Sequence, residues 1–207
     1  MSLWGDAHAA STNKPKFLPQ DENSDYNRAD CYATNAGWVM QAGHPSSGNS
    51  NTSATPEVLV ASGGLAGATD TTGLRAPTVT SMRFVKGTTA TTDLTAADST
   101  ARIRVEITWD EEVTVAGTPQ VVIANSNASG GGFGNYTLSY ISSGSTANRK
   151  LFEATSQSLG NTDVLTLGGA NITLNSGTIS DTVRGGTAQA ASLVLSGISA
   201  VAVTIAS

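Results

Sequence analysis

The clearest pattern in the chain is an alternation of apolar and polar residues between positions 101 and 109. The apolar positions share one parity and the polar positions share the other: Ile103, Val105, Ile107 and Trp109 against Arg102, Arg104, Glu106 and Thr108. A period of two predicts a β-strand with one buried and one solvent-facing side. Because the buried side needs a second layer to cover it, the segment predicts a sandwich or barrel core after about residue 76.

Further short strands follow at the spacing of an all-β domain. They are predicted at residues 78–86, 113–115, 120–124, 136–142, 151–155, 164–167 and 171–174 and in the tail 192–206. Tyr136, Leu138 and Tyr140 share one parity and are expected in the core, and Trp109 is expected to close it. No segment predicts a helix.

The chain before residue 77 predicts an extended arm followed by a short hairpin. Two strands are predicted at 38–40 and 57–61 around a polar loop. Residues 63–77 are rich in Gly and Thr and are predicted to be a linker. We therefore divide the chain into residues 1–76 and 77–207.

Large apolar side chains are scattered through residues 1–30 without a helical or strand period. One interpretation is a disordered tail. The other is an arm that becomes ordered when Trp4, Phe17 and Leu18 dock on another subunit, with the affinity coming from a few anchors. The pattern leaves both open.

Composition and charge narrow the classes of function. The chain has 207 residues, of which 13% are charged, with 22 Gly and a formal net charge of -5. An acidic chain has no positive field for phosphates, so nucleic-acid binding is disfavoured. The single cysteine, Cys31, excludes an intrachain disulfide. No apolar run has the length of a signal peptide or membrane span, so we expect a soluble protein made in the cytoplasm without a membrane contact.

Acidic residues provide the one candidate for ion binding. Asp110, Glu111 and Glu112 are consecutive at a predicted strand end, and with Asp181 or Asp163 they would offer oxygen ligands for calcium. Successive side chains of a strand point to opposite faces, so the three cannot converge alone. A solvated charged turn is the better interpretation. We predict no bound metal.

The sequence shows no arrangement of catalytic residues. His8, His44 and Cys31 lack recognisable partners. The glycine-rich stretch 130–134 lacks the following Gly-Lys-Ser/Thr of a phosphate loop and reads as a hairpin loop. The chain therefore predicts neither an enzyme nor a cofactor.

Residues 103–195 resemble a bacterial immunoglobulin-like repeat of large surface and adhesion proteins. The order of motifs carries the resemblance: ITWDEEVTVAGTPQVVIA, NYTLSYISSGS, LFEATSQSLG and the late LNSGTISD. The family usually continues Asp-Ala-x-Gly-Asn, whereas this chain has residues 181–186 as Asp-Thr-Val-Arg-Gly-Gly. The resemblance implies an immunoglobulin-like β-sandwich.

Residues 1–65 resemble small virion proteins of tailed marine bacteriophages, especially those of cyanobacteria. The shared pattern is a W-G near the start, then KPKF, then GWVM and PEVLVA. This resemblance implies a structural protein of the phage particle. An immunoglobulin-like domain beside a particle-binding segment is a common arrangement in head decoration proteins.

The leading hypothesis is a capsid decoration or cement protein on the virion surface. It would bind the major capsid protein or other virion subunits and form a homo-oligomer on the particle. Six apolar residues are the candidate partner-binding residues: Trp4, Phe17, Leu18, Trp38, Val58 and Val60. Each large side chain that becomes buried contributes about 1.5–3 kcal/mol before ordering costs.

The alternative hypothesis is a carbohydrate-binding adhesion module on a neck, tail or fibre. Tyr136, Tyr140 and Phe133 would then face a sugar, since aromatic faces and amide groups suit one. The shared parity of the two tyrosines favours the core instead.

Overall fold

The computed structural model describes residues 14–15, 18, 28–43, 49–51, 53–66, 74, 76–86, 89–91, 94, 102–125, 134–155, 159–160, 162–181 and 188–206. Its regular structure consists of β-strands and one short 3-10 turn at Arg28–Asp30, with no α-helix in these ranges. The predicted all-β, sandwich-like fold is confirmed.

The strands run in chain order as follows: β1 Tyr32–Thr34, β2 Gly37–Met40, β3 Glu57–Ala61, β4 Val79–Lys86, β5 Thr89–Ala90, β6 Arg102–Trp109, β7 Val113–Ala116, β8 Gln120–Asn125, β9 Tyr136–Ile141, β10 Arg149–Thr155, β11 Val164–Leu167, β12 Thr178–Asp181 and β13 Val201–Thr204. They form a three-stranded sheet β1-β2-β3, an eight-stranded sheet β13-β11-β8-β9-β10-β6-β4-β5 and a two-stranded ribbon β12-β7. All of these pairings are antiparallel.

The eight-stranded sheet curls around one apolar core. β6 pairs with β4 on one side and β10 on the other, which aligns Phe84, Val105 and Phe152 across three strands. All three are buried in the main core. β13, at one edge of the sheet, also approaches β4 near the other edge, and the β7–β12 ribbon contributes Val113 and Ile179 to the same core.

The predicted strand at 171–174 is wrong in extent. Only one isolated bridge, from Gln120 to Thr173, forms there. Asn175 and Ser176 have left-handed backbone angles, φ 45° and 63°, and the chain turns. It then forms β12, which pairs with β7 and was not predicted.

The polar side of β6 is buried, which corrects the prediction of a solvent-facing side. Glu106 is 2% exposed and Thr108 is fully buried. The reason is that the 3-10 turn at Arg28–Asp30 packs against β6 on this outer side. Both faces of β6 are therefore covered.

We call residues 28–66 the N-terminal module. The predicted hairpin is present as β2 and β3, and β1 adds a third strand that the sequence did not reveal. The predicted linker contributes to the module, because Leu65 and Leu74 are buried against Trp38 and the amide of Leu74 donates to the carbonyl of Leu65 at 2.7 Å. The two leucines complete a small core of their own.

The module contacts the sandwich through β1. The backbone amide of Ala33 donates to the carbonyl of Asp110 at 2.7 Å, and Ala33 forms a parallel bridge with Glu111. We call this contact between β1 and the β6–β7 turn the joint.

Candidate functional site

The predicted anchors fall into three groups. Trp4 and Phe17 lie outside the described residues. Leu18 is buried beside Cys31 and Met40, and Leu59 packs on this group. Leu18 therefore packs on the module within this chain.

Trp38 is also buried within this chain. It is 2% exposed and packs with Ala33, Leu65 and Leu74. In this conformation the ring is already surrounded by the module's own side chains. Trp38 supports the sheet that carries β3.

β3 is the edge strand of the three-stranded sheet and pairs with β2 in the described structure. Leu59 and Val60 point into two different clusters, which fixes the strand from both sides. Val58, by contrast, is 46% exposed. Of the predicted anchors in the described residues, Val58 is the one that faces solvent, while Val60 is half-buried.

An edge strand held in this way has a clear physical capacity. The ladder from β2 occupies one side of β3, and no other described strand pairs with its outer backbone amides and carbonyls. Addition of a partner strand to such an edge is a recurring mode of protein recognition. β3 is therefore the candidate binding edge.

A buried ion network lies beneath the module. Glu106 accepts Arg83 on one carboxylate oxygen at 2.7 Å and Arg149 on the other at 2.8 Å. Asp30 lies 3.7 Å from Arg83 and 3.5 Å from Arg149. Because unpaired buried charges are costly, the network fixes the 3-10 turn of the module on the sheet.

Sequence reasoning did not identify this network. Its residues come from four separate segments, and only the burial of both sides of β6 shows that they meet. The available signal was Arg83, a charged residue inside the apolar run of β4, because such a residue requires a partner when it is buried.

Asp110 and Glu111 of the acidic turn are buried and Glu112 is half-buried, which corrects the prediction of a solvated turn. Asp110 accepts hydrogen bonds from the backbone amide of Thr78 at 2.6 Å and from its hydroxyl. Burial raises the pKa of Asp110, against the opposing effect of these hydrogen bonds. Asp110 thus caps the start of β4.

Glu111 is the second buried acid of this turn. It is 4% exposed, and its Oε1 has no hydrogen-bond partner. Burial, together with the charges of Asp110 and Asp181, raises its pKa to about 8. Glu111 is therefore held in a site that favours its protonated form at neutral pH.

Lys14 approaches the same region from the N-terminal segment. Its Nζ lies 3.3 Å from Thr80 Oγ1, at the irregularity in the pairing of β4 with β6. Burial lowers its pKa to about 8, although the nearby charge of Asp110 favours the ammonium form. The amine thus contributes a second titratable group near the joint.

The other sites proposed from the sequence are not assembled. In the described ranges, no group of three or more His, Cys, Asp or Glu side chains is placed to hold a metal ion. Asp163 makes its contacts away from the acidic turn. It accepts hydrogen bonds from the backbone amide of Gly160 and from the side-chain amide of Asn125. No helix in the described ranges is long and apolar enough to span a membrane.

The residues named for catalysis and sugar binding are outside the described ranges, buried or, for Tyr140, half-buried. His8, His44 and Phe133 are outside these ranges. Burial raises the pKa of the Cys31 thiol to about 12, so the nucleophilic thiolate is disfavoured. Tyr136 belongs to the main core, as predicted, and Tyr140 packs edge-on to Phe152 with ring centroids 6.2 Å apart.

Comparison with known proteins gives no match to a family model, a curated protein or a solved structure.

Proposed function

We propose that the protein is a non-enzymatic structural protein of a tailed-phage particle, a decoration or cement protein that binds the head through β3. The resemblance of residues 1–65 to phage virion proteins motivates the class of particle. The exposed edge of β3 with Val58 is the observation that supports this mode of binding. The partner is the major capsid protein or another virion subunit, and the site is the virion surface.

The position of β3 suits a stable contact with a capsid subunit. Leu59 and Val60 hold the strand in two clusters, so little ordering of the strand remains for the binding step. A strand from a capsid subunit would add main-chain hydrogen bonds along β3 and cover Val58. Several copies around a particle would repeat this contact across subunit boundaries.

The proposal also gives the sandwich a role. The ion network and the joint attach the module to the outer side of β6, so a force on the sandwich would be transmitted to β3. The sandwich would then project from the particle as a rigid acidic body. The sugar-binding alternative receives no comparable support, because Tyr136 is part of the core.

The test compares two identical substitutions in the full-length protein. Val58→Asp places a charge on the binding edge, whereas Val194→Asp places it on the other large hydrophobic residue that is exposed in the described structure. Complete burial of a valine contributes about 1.5–3 kcal/mol, and roughly half of Val58 remains to be buried. With the added cost of desolvating aspartate, we expect V58D to weaken binding to particles assembled without the protein by at least about tenfold.

V194D should bind like the wild type, and both variants should retain wild-type circular dichroism and melting temperature. Equal binding by V58D and the wild type would refute β3 as the binding edge. Failure of the wild type to bind such particles would refute the decoration function itself.

A further inference from the structure

The joint between the N-terminal module and the sandwich contains a buried acid for which the described residues supply no counterion. Glu111 forms the backbone bridge to Ala33, and its side chain is almost fully covered while Oε1 accepts no hydrogen bond. A protonated carboxyl tolerates such a site, but a carboxylate does not. The backbone contact that holds the module thus adjoins a group whose charge opposes it.

The charges around Glu111 act in the same direction. Asp110 precedes it in the chain and Asp181 approaches it from β12, and both disfavour a further negative charge. Lys14 lies nearer to Asp110, and its neighbours by charge are Asp110, Cys31 and Asp30. Among the described residues, the charged groups that act on Glu111 are therefore both acids.

We propose that ionisation of Glu111 opens the joint, so that the contact between β1 and the β6–β7 turn is a pH-sensitive latch. The latch is closed while Glu111 is protonated. It opens when the proton leaves, because a carboxylate is stable only where water reaches it, and the adjoining backbone contact with β1 is then given up. This inference stands independently of the proposed particle binding.

The sign and size of the effect follow from proton linkage. The closed state holds the proton up to a pH of about 8, whereas an exposed glutamate loses it near its ordinary value of 4.5. Opening therefore becomes more favourable as the pH rises between these values, by at most about tenfold per pH unit, and levels off above the pKa of the closed state. Lys14 has the opposite effect at higher pH. Its pKa in the closed state is lowered to about 8, so the cost of burying this amine falls as the pH rises above that value, and opening becomes less favourable.

Cys31 provides a native reporter of opening. It is the single cysteine of the chain, is fully buried, and lies two residues before Ala33. Its labelling by a methanethiosulfonate reagent would be measured from pH 6 to pH 8 in the full-length protein. Division by the rate for the urea-unfolded chain at each pH removes the change in intrinsic thiol reactivity.

We expect the corrected labelling rate to rise between about tenfold and a hundredfold over this range, and Glu111→Gln to abolish most of the rise. Glu112→Gln is the matched control, because Glu112 lies next in the chain but acts on Lys150, and it should keep the rise. If Glu111→Gln does not fold, Asp181→Asn should reduce the rise by removing one of the repelling charges. A labelling rate of the wild type that does not change with pH would overturn the latch. A rise that persists in both Glu111→Gln and Asp181→Asn would overturn it as well. So would a labelling rate whose dependence on urea equals that of global unfolding, because the thiol would then react only in the unfolded chain.

Discussion

Substitution of Glu106 tests how much the ion network stabilises the fold, because this one carboxylate pairs with the buried Arg83 and the half-buried Arg149. The substitution Glu106→Gln keeps the shape and removes the charge. Arg83 and Arg149 would then retain Asp30, whose contacts of 3.7 Å and 3.5 Å are longer than those of Glu106 at 2.7 Å and 2.8 Å. Removal of one partner from a buried ion pair costs about 3–5 kcal/mol.

A chain of this size changes its melting temperature by about 2–4 °C per kcal/mol, so we expect Glu106→Gln to lower it by roughly 6–20 °C. Urea unfolding at pH 7 provides the free energy. The control is Glu153→Gln, which removes a 2.6 Å pair with Arg104 that is more exposed to solvent. A loss below about 1 kcal/mol for Glu106→Gln, or one equal to that of Glu153→Gln, would refute the view that the buried network stabilises the fold.

Two further predictions concern the module and its joint. Gly37→Ala should destabilise the hairpin strongly, because Gly37 has φ 129° and an added Cβ would lie 2.1 Å from the carbonyl oxygen of Val60. The control is Gly64→Ala, which should cost only about 1 kcal/mol, because Gly64 has φ 75° and open space around it. Hydrogen exchange of the β2 and β3 amides measures both, and equal protection in the two variants would contradict the clash. Because the folded-state pKa of Glu111 is raised, its contribution to stability is full below pH 4.5 and is lost as the pH rises through about 8. Urea unfolding should therefore show wild-type stability falling by a few kcal/mol between pH 5 and 8 and Glu111→Gln nearly level, and parallel curves would contradict this linkage.

The sandwich could be predicted because the alternation of apolar and polar residues within each strand indicates which side of the strand is buried. The apolar parity of β6 and β9 in the sequence matches the side that enters the core. β1 and β12 escaped prediction for the opposite reason, since each is only three or four residues long and gains its strand form from pairing with β2 or β7. Local pattern carries little information about such short strands.

The polar side of β6 shows why the candidate site was only partly predictable. Alternation alone indicates that the polar side of β6 is exposed to solvent. Nothing within residues 101–109 shows that Asp30, from a distant part of the chain, packs on this side. Trp38 and Leu18 illustrate the same difficulty. Their size correctly indicated burial, but the sequence could not distinguish burial within the module from burial against a partner.

Imaging of the phage particle with this protein in place tests the central claim most directly. A reconstruction with the sandwich labelled should place the protein on the head, with β3 against a capsid subunit and the sandwich projecting outward. Density on the neck, tail or fibres, or a head contact made by the sandwich while β3 faces solvent, would contradict the account.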